Sequence, residues 1–378
     1  MNGEALKFRD PEAARALAGS LERLMAEIGR PVSVMHVCGS HEQAIAKFGL
    51  RSLFPKSLTV IMGPGCPVCV TDVPEVDEGV VLAGQDKVHI ATYGDMLKVP
   101  GTVKSLADAQ ASGAKIHVVY SPAQAVELAR QLPDEQIVFF ATGFETTAVA
   151  TAAVIVDNPP PNFSVLSAHK YIPPVMEIVA EMPESRVEGF LAAGHAATIT
   201  GWKVFEPFVE RHKVPVVVAG FEPLDILAGL VELVALIKDG LARVVNIFPR
   251  CVTEEGNLAA QRELWRVFRP TGGRWRGIAH VPNGNLRLRD EWAHVDARKR
   301  FTIDLSSLWD YAPPQLAQQC ICGDIMAGIR NPIDCKLFNK ECVPENPVGA
   351  CMVSNEGTCK IWHLYGGVPD LSTVEVSA

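Results

Sequence analysis

The chain has 378 residues, 48% of them hydrophobic, enough to bury more than one core, since single domains usually hold about 100–200 residues. Its 35 Lys and Arg against 43 Asp and Glu give a net charge of −8. No stretch concentrates basic residues enough to track a phosphate backbone, which excludes nucleic acid as an expected partner.

Residues 1–10 are polar and of mixed charge, without the apolar core of an export signal, so a cytoplasmic chain is expected. Short β-branched runs then recur at 32–37, 58–62, 88–92, 116–120, 137–140, 163–166, 189–192, 214–218 and 244–248. Most are continuously apolar, as strands of a parallel sheet covered on both faces must be. Amphipathic stretches at 11–28, 122–131 and 224–238 supply crossover helices, so the class is α/β with two Rossmann-like parallel sheets. The longest apolar stretch, 226–237, is twelve residues interrupted by Glu232. That is short of the ~20 needed to span a bilayer, and it reads as a buried helix with no membrane role.

The turn Leu132-Pro133-Asp134 places a domain boundary near 131, giving α/β domains over 1–131 and 132–250. Residues 251–310, with Trp265, Trp275, Trp292 and the turn signal Pro282-Asn283-Gly284, read as an irregular or helical connection. From 311 to 378 the chain is rich in Cys, Pro and Gly and too irregular for an ordinary core, a deficit that a metal site would offset.

Ten cysteines without an export signal argue for chemistry or metal binding rather than a disulfide framework. In open α/β sheets, ligands gather beyond the carboxyl ends of the strands, and here those ends are reactive. The first carries Val37-Cys38-Gly39-Ser40-His41-Glu42-Gln43, in which Ser40 and Gln43 are spaced as a capping box. Cys38 is thereby placed at a helix N-terminus, where the helix dipole favours the thiolate, so it should alkylate faster than Cys251, an isolated thiol expected to be structural. His41 and Glu42, one turn on, could move protons.

The second exit carries Gly63-Pro64-Gly65-Cys66-Pro67-Val68-Cys69, a spacing that closes a redox disulfide or supplies two metal ligands. It lacks the pattern of a nucleotide loop. Further exits bring Tyr93-Gly94-Asp95, Gly143-Phe144-Glu145-Thr146-Thr147, Ser167-Ala168-His169-Lys170, Gly194-His195 and Gly220-Phe221-Glu222, each a candidate cleft lining or an ordinary helix cap. The last 59 residues hold six cysteines, at 320, 322, 335, 342, 351 and 359. Their wide spacing suits a four-iron cluster better than a zinc ribbon built from paired knuckles, although thiolates alone also admit zinc.

The order of Cys-Gly-Ser-His-Glu at 38–42, Gly-Pro-Gly-Cys-Pro-Val-Cys at 63–69, Gly-Phe-Glu-Thr-Thr at 143–147 and the cysteines from 320 to 359 resembles the HypD family of [NiFe]-hydrogenase maturation factors. The resemblance covers essentially the whole chain. It implies two α/β domains plus a small irregular iron–sulfur domain, and a redox-active assembly scaffold rather than a conventional turnover enzyme. On this likeness Cys38 would share a transient iron with the small chaperone HypC while that iron acquires two cyanides and one carbonyl for the hydrogenase large subunit. Cyanide would come from HypE, loaded with the help of HypF. Cys66 and Cys69 would be the redox pair, and a [4Fe–4S] cluster would draw its ligands from the six tail cysteines, with Cys322, Cys335, Cys342 and Cys359 favoured. Gln43 and Ala44 depart from the His and Thr expected in many relatives. Two other readings stand beside this one: a self-contained iron–sulfur thiol–disulfide oxidoreductase, and a binding protein with a structural zinc tail.

Overall fold

The computed structural model describes residues 8–312 and 314–367; the outer ends of the first and last expected domains lie outside the described residues. The nine expected strands form: β1 (Val32–His36), β2 (Leu58–Met62), β3 (Val88–Thr92), β4 (Lys115–Val118), β5 (Gln136–Gly143), β6 (Phe163–His169), β7 (Gly189–Ala193), β8 (Val216–Ala219) and β9 (Val244–Asn246). They build two parallel sheets, one of five strands in the order β2-β1-β7-β8-β9 and one of four in the order β4-β3-β5-β6.

This order corrects the expected boundary at 131. The first two strands belong to the same sheet as the last three, with Val34 opposite both Val60 and Gly189, and the four-stranded sheet is made entirely from the chain between them. Strand pairing follows the twist and burial of each apolar run rather than its place along the chain. Helix α1 (Pro11–Ile28) accordingly packs against the late helix Pro223–Lys238.

Both helices cover the outer face of the five-stranded sheet. Leu21 and Met25 meet Val32, Val34 and Val217, and Ile226, Leu227, Leu230 and Leu233 complete the layer. Each such side chain stabilises the fold by about 1.5–3 kcal/mol relative to exposure. The stretch that could have suggested a membrane span is this buried helix, and no helix among the described residues is long and apolar enough to cross a membrane.

The segment 251–310 also departs from expectation. After the helix Leu258–Val267 it forms an antiparallel hairpin, β10 (Phe268–Arg274) and β11 (His280–Leu288). Pro270, Gly272 and Gly273 hide the first strand from propensity, and the pairing register shifts between Thr271 and Gly273. The expected turn at 282–284 lies inside β11, where Asn283 has φ 57°, while the reversal itself falls at 276–278. Phe268, Leu286 and Leu288 pack onto Phe139 and Phe163 of the four-stranded sheet, and Ser167 Oγ donates to the Leu286 carbonyl at 2.7 Å.

The remaining described chain is a string of short turns ending in the helix Thr358–Tyr365. It lies across the carboxyl end of the five-stranded sheet, where Thr358 Oγ1 reaches Met62 Sδ at 3.0 Å.

Candidate functional site

Three neighbouring strands, β2, β1 and β7, deliver Gly63–Cys69, Cys38 and His195 to one end of the larger sheet. Cys38 is the N-cap residue of α2 (Gly39–Lys47), in extended conformation with no side-chain cap. The expected capping box is absent, because the helix already starts at Gly39 and Ser40 lies within its first turn; Ser40 Oγ donates to Glu356 Oε1 at 3.3 Å. Gly65 lies directly on the Cys38 backbone: a Cβ there would sit 2.2 Å from the Cys38 nitrogen. The Gly39 N–H donates to the Gly65 carbonyl at 3.1 Å, so the CxxC loop and Cys38 form one surface.

Cys66 and Cys69 are joined as a disulfide. Cys66 caps the short helix α3 (Pro67–Val70), its sulfur accepting from the Cys69 N–H at 3.1 Å. Both cysteines are buried, at 2% and 0% exposure, and on the far side Cys69 Sγ lies 3.9 Å from the Ala350 carbonyl. Helix α3 packs on the turn Ala350–Met352, which carries Cys351.

The Cys38 thiol is pushed up to about 12, first by burial and then by the negative charge of Glu356. The N–H groups of His41 and Ser40 favour the thiolate, as a helix terminus should, but they are outweighed. The expected reactive thiolate is therefore a neutral thiol, because the tail packs over it. Its neighbour is His195, with Nδ1 3.9 Å from Sγ. Burial lowers His195, while Glu356 and Glu145 pull it back.

Glu145, from the Gly-Phe-Glu-Thr-Thr loop of the smaller sheet, accepts the Ile172 N–H at 2.8 Å through Oε1. Its Oε2 finds no partner among the described residues, and burial raises the group to about 7. The strand exits of the two sheets thus meet at His195, which lies beside Cys38 and feels the charges of both Glu356 and Glu145. Sequence reasoning reached His195 and Glu145 only as cleft linings and missed Glu356, which no local pattern marks.

His41 and Glu42 are placed otherwise than a proton-moving role requires. His41 is buried and lowered to about 3, chiefly by desolvation, and its Nε2 donates to the Gly220 carbonyl at 2.9 Å. Burial alone would raise Glu42, but Arg51 and His36 outweigh it and hold the carboxyl well below the usual range. Lys170 is equally committed, its buried ammonium donating to Glu75 at 2.7 Å and Asn285 at 3.1 Å.

All six tail cysteines line one small cavity together with Ile325, Phe338 and Met352. The favoured four, Cys322, Cys335, Cys342 and Cys359, are there, but so are Cys320 and Cys351. Cys322 is held well below the ordinary thiol range, first by its hydrogen bond with Cys320 and then by that with Cys351. Cys342 Sγ accepts the Val348 N–H at 3.3 Å. Among the described residues, no group of three or more His, Cys, Asp or Glu could hold a single metal ion as placed. The donor set, soft thiols in a dry pocket with a backbone N–H on sulfur, suits a thiolate-bound metal group.

Residues 12–366 match the family described as "HypD: Hydrogenase formation hypA family". The chain belongs to the HypD family. Over 372 residues, 95% of this chain and 96% of the relative, it is 41% identical to "Hydrogenase maturation factor HypD" of Azotobacter vinelandii. It is 39% identical to the factor of the same name from Cupriavidus necator, over 97% of this chain and 98% of that one. A putative hydrogenase expression/formation protein of Methanocaldococcus jannaschii is also 39% identical, over 95% of this chain and 99% of the relative. A role in hydrogenase maturation follows for this HypD chain.

Proposed function

We propose that this HypD chain is the cytoplasmic scaffold on which, together with a HypC-like chaperone, an iron acquires its cyanide and carbonyl ligands before delivery to a hydrogenase large subunit. The carrying observation is the order of the sulfurs: the Cys66–Cys69 disulfide lies between Cys38 on one side and the six-cysteine cavity on the other. Iron is the cargo here, and Cys38 is its ligand on this chain. Because that thiol is neutral at rest, iron binding must release its proton, and His195 and Glu356 stand where such a proton can go.

Cyanide from a HypE-bound thiocyanate leaves as the carbon–sulfur bond takes up two electrons. A dithiol at Cys66 and Cys69 supplies that number as it closes to the disulfide and releases two protons. A [4Fe–4S] cluster held by Cys322, Cys335, Cys342 and Cys359 would relay, one at a time, two electrons from an external one-electron donor, which with two protons reopen the pair. Six thiols spread round a cavity, rather than converging on a point, favour such a multi-iron group over one zinc ion. Turnover on a protein disulfide in the absence of a HypC-like partner would favour the self-contained oxidoreductase instead.

The test is anaerobic co-purification with a HypC-like partner, followed by infrared spectroscopy. The parent is expected to carry Fe–CN bands and the Cys38→Ser variant to lose them while keeping its tail iron and sulfide. Bands that persist in that variant remove Cys38 from the iron.

A further inference from the structure

Two helices that begin at functional cysteines lie side by side. Cys38 caps α2 and Cys359 is the second residue of the helix Thr358–Tyr365. Their starting ends touch: a Cβ on Gly39 would lie 2.3 Å from Glu356 Cβ. One turn into each helix stands a side chain aimed at the other. Trp362 Nε1 donates to Glu42 Oε1 at 2.6 Å.

Glu42 is wholly buried, and its second oxygen is also occupied. Oε2 accepts from Arg51 Nη2 at 2.8 Å, and the Arg51 guanidinium lies 5.2 Å over the Trp362 ring. The His36 ring bridges Oε2 at 2.9 Å and the Cys38 carbonyl at 3.1 Å. That carbonyl also receives the backbone N–H of Glu42 at 3.3 Å, so the peptide of Cys38 is gripped twice by groups that end on the same carboxylate. A buried carboxylate costs free energy that an apolar residue of similar size would avoid, and what it gives in return is a defined geometry.

We propose that Glu42 is a positioning residue: through Trp362 on one side and His36 on the other, its carboxylate fixes the Cys38 peptide relative to the helix that carries Cys359. This deepens the function proposed above and rests on it only for the importance of those two cysteines. Glu42 thereby leaves the set of proton carriers and becomes the tie between the iron-binding corner and the cysteine cavity.

The test uses the full chain purified anaerobically, without iron cargo or partner, and follows iodoacetamide alkylation of Cys38 by peptide mass spectrometry. Exposed Cys251 serves as the internal reference. Trp362→Phe and Glu42→Ala should each speed Cys38 labelling by about five-fold or more as the corner opens locally, with Cys251 unchanged. The double variant should be no faster than the faster single one, since both cut the same tie. Glu42→Gln has one oxygen and one amide N–H group, so it keeps an acceptor for Trp362 or for Arg51 and His36 but not for both, and its rate should fall between those of the parent and Glu42→Ala. Unchanged rates in both single variants, multiplied rates in the double variant, or Glu42→Gln as fast as Glu42→Ala would each overturn the proposal. Should Glu42→Ala fail to fold, Trp362→Phe decides alone, because it removes the Nε1 donor while leaving a smaller aromatic ring in the same place. Loss of the Fe–CN assignment to Cys38 would leave these rates untouched, so the two ideas fail separately.

Discussion

Cys38 and the tail cysteines hold sulfur by different means. Cys38 follows a strand hydrogen-bonded on both sides and begins a nine-residue helix, so regular backbone alone sets its place. The tail cysteines sit on short turns: Cys322 opens a five-residue helix and Cys351 lies in a three-residue one, and much of what surrounds each sulfur is other sulfurs. Where secondary structure supplies the positions, ligand loss is a local event; where sulfur atoms are themselves the core, it removes the core.

The sharpest break of that comparison is removal of two of the tail thiols. Cys322→Ala with Cys359→Ala is expected to leave residues 311–367 open to limited proteolysis while the α/β body keeps its cooperative thermal transition. Simultaneous melting of both would show that the tail is an integral layer of the body.

A second measurement sharpens the other half. A thiol pushed up to about 12 from an ordinary 9.0 carries about a thousand-fold less thiolate at neutral pH. Buried Cys38 should therefore label at least about a hundred-fold more slowly than exposed Cys251 at pH 7, and its rate should climb about ten-fold per pH unit. Equal rates would mean that the tail does not cover Cys38 in solution.

The smallest effect concerns stability. Glu145 is raised from 4.5 to about 7 in the folded chain, so folding favours its protonated form. The associated stability is complete below about pH 4.5 and is lost as pH rises through 7. Glu145→Gln should thus flatten the decline in denaturant stability between pH 5 and 8, by up to about 3 kcal/mol. An unchanged slope would place the titration elsewhere.

These contrasts also explain what could be read in advance. Strands buried on both faces, such as Val216–Ala219 and Phe163–His169, are continuous apolar runs, and the CxxC after β2 announces its chemistry locally. The order of the strands was not legible, because nothing in 32–62 names a partner at 189–246. The β10–β11 hairpin was masked by Pro270, Gly272 and Gly273. The reactivity of Cys38 was misjudged for the same kind of reason: the helix terminus is local, whereas Glu356, which helps reverse its effect, is more than 300 residues away.

The interrupted larger sheet also bears on how the chain is made. As it leaves the ribosome, β1 has β2 to pair with but not its second neighbour, β7, while the four strands between Val88 and His169 contain every strand of their own sheet. The nascent chain must hold the edge of β1 open until Gly189–Ala193 arrives to pair with it, and the Cys38 corner, which needs His195 and then Glu356, is assembled last of all. A chain that has not yet reached Glu356 therefore presents Cys38 without its cover.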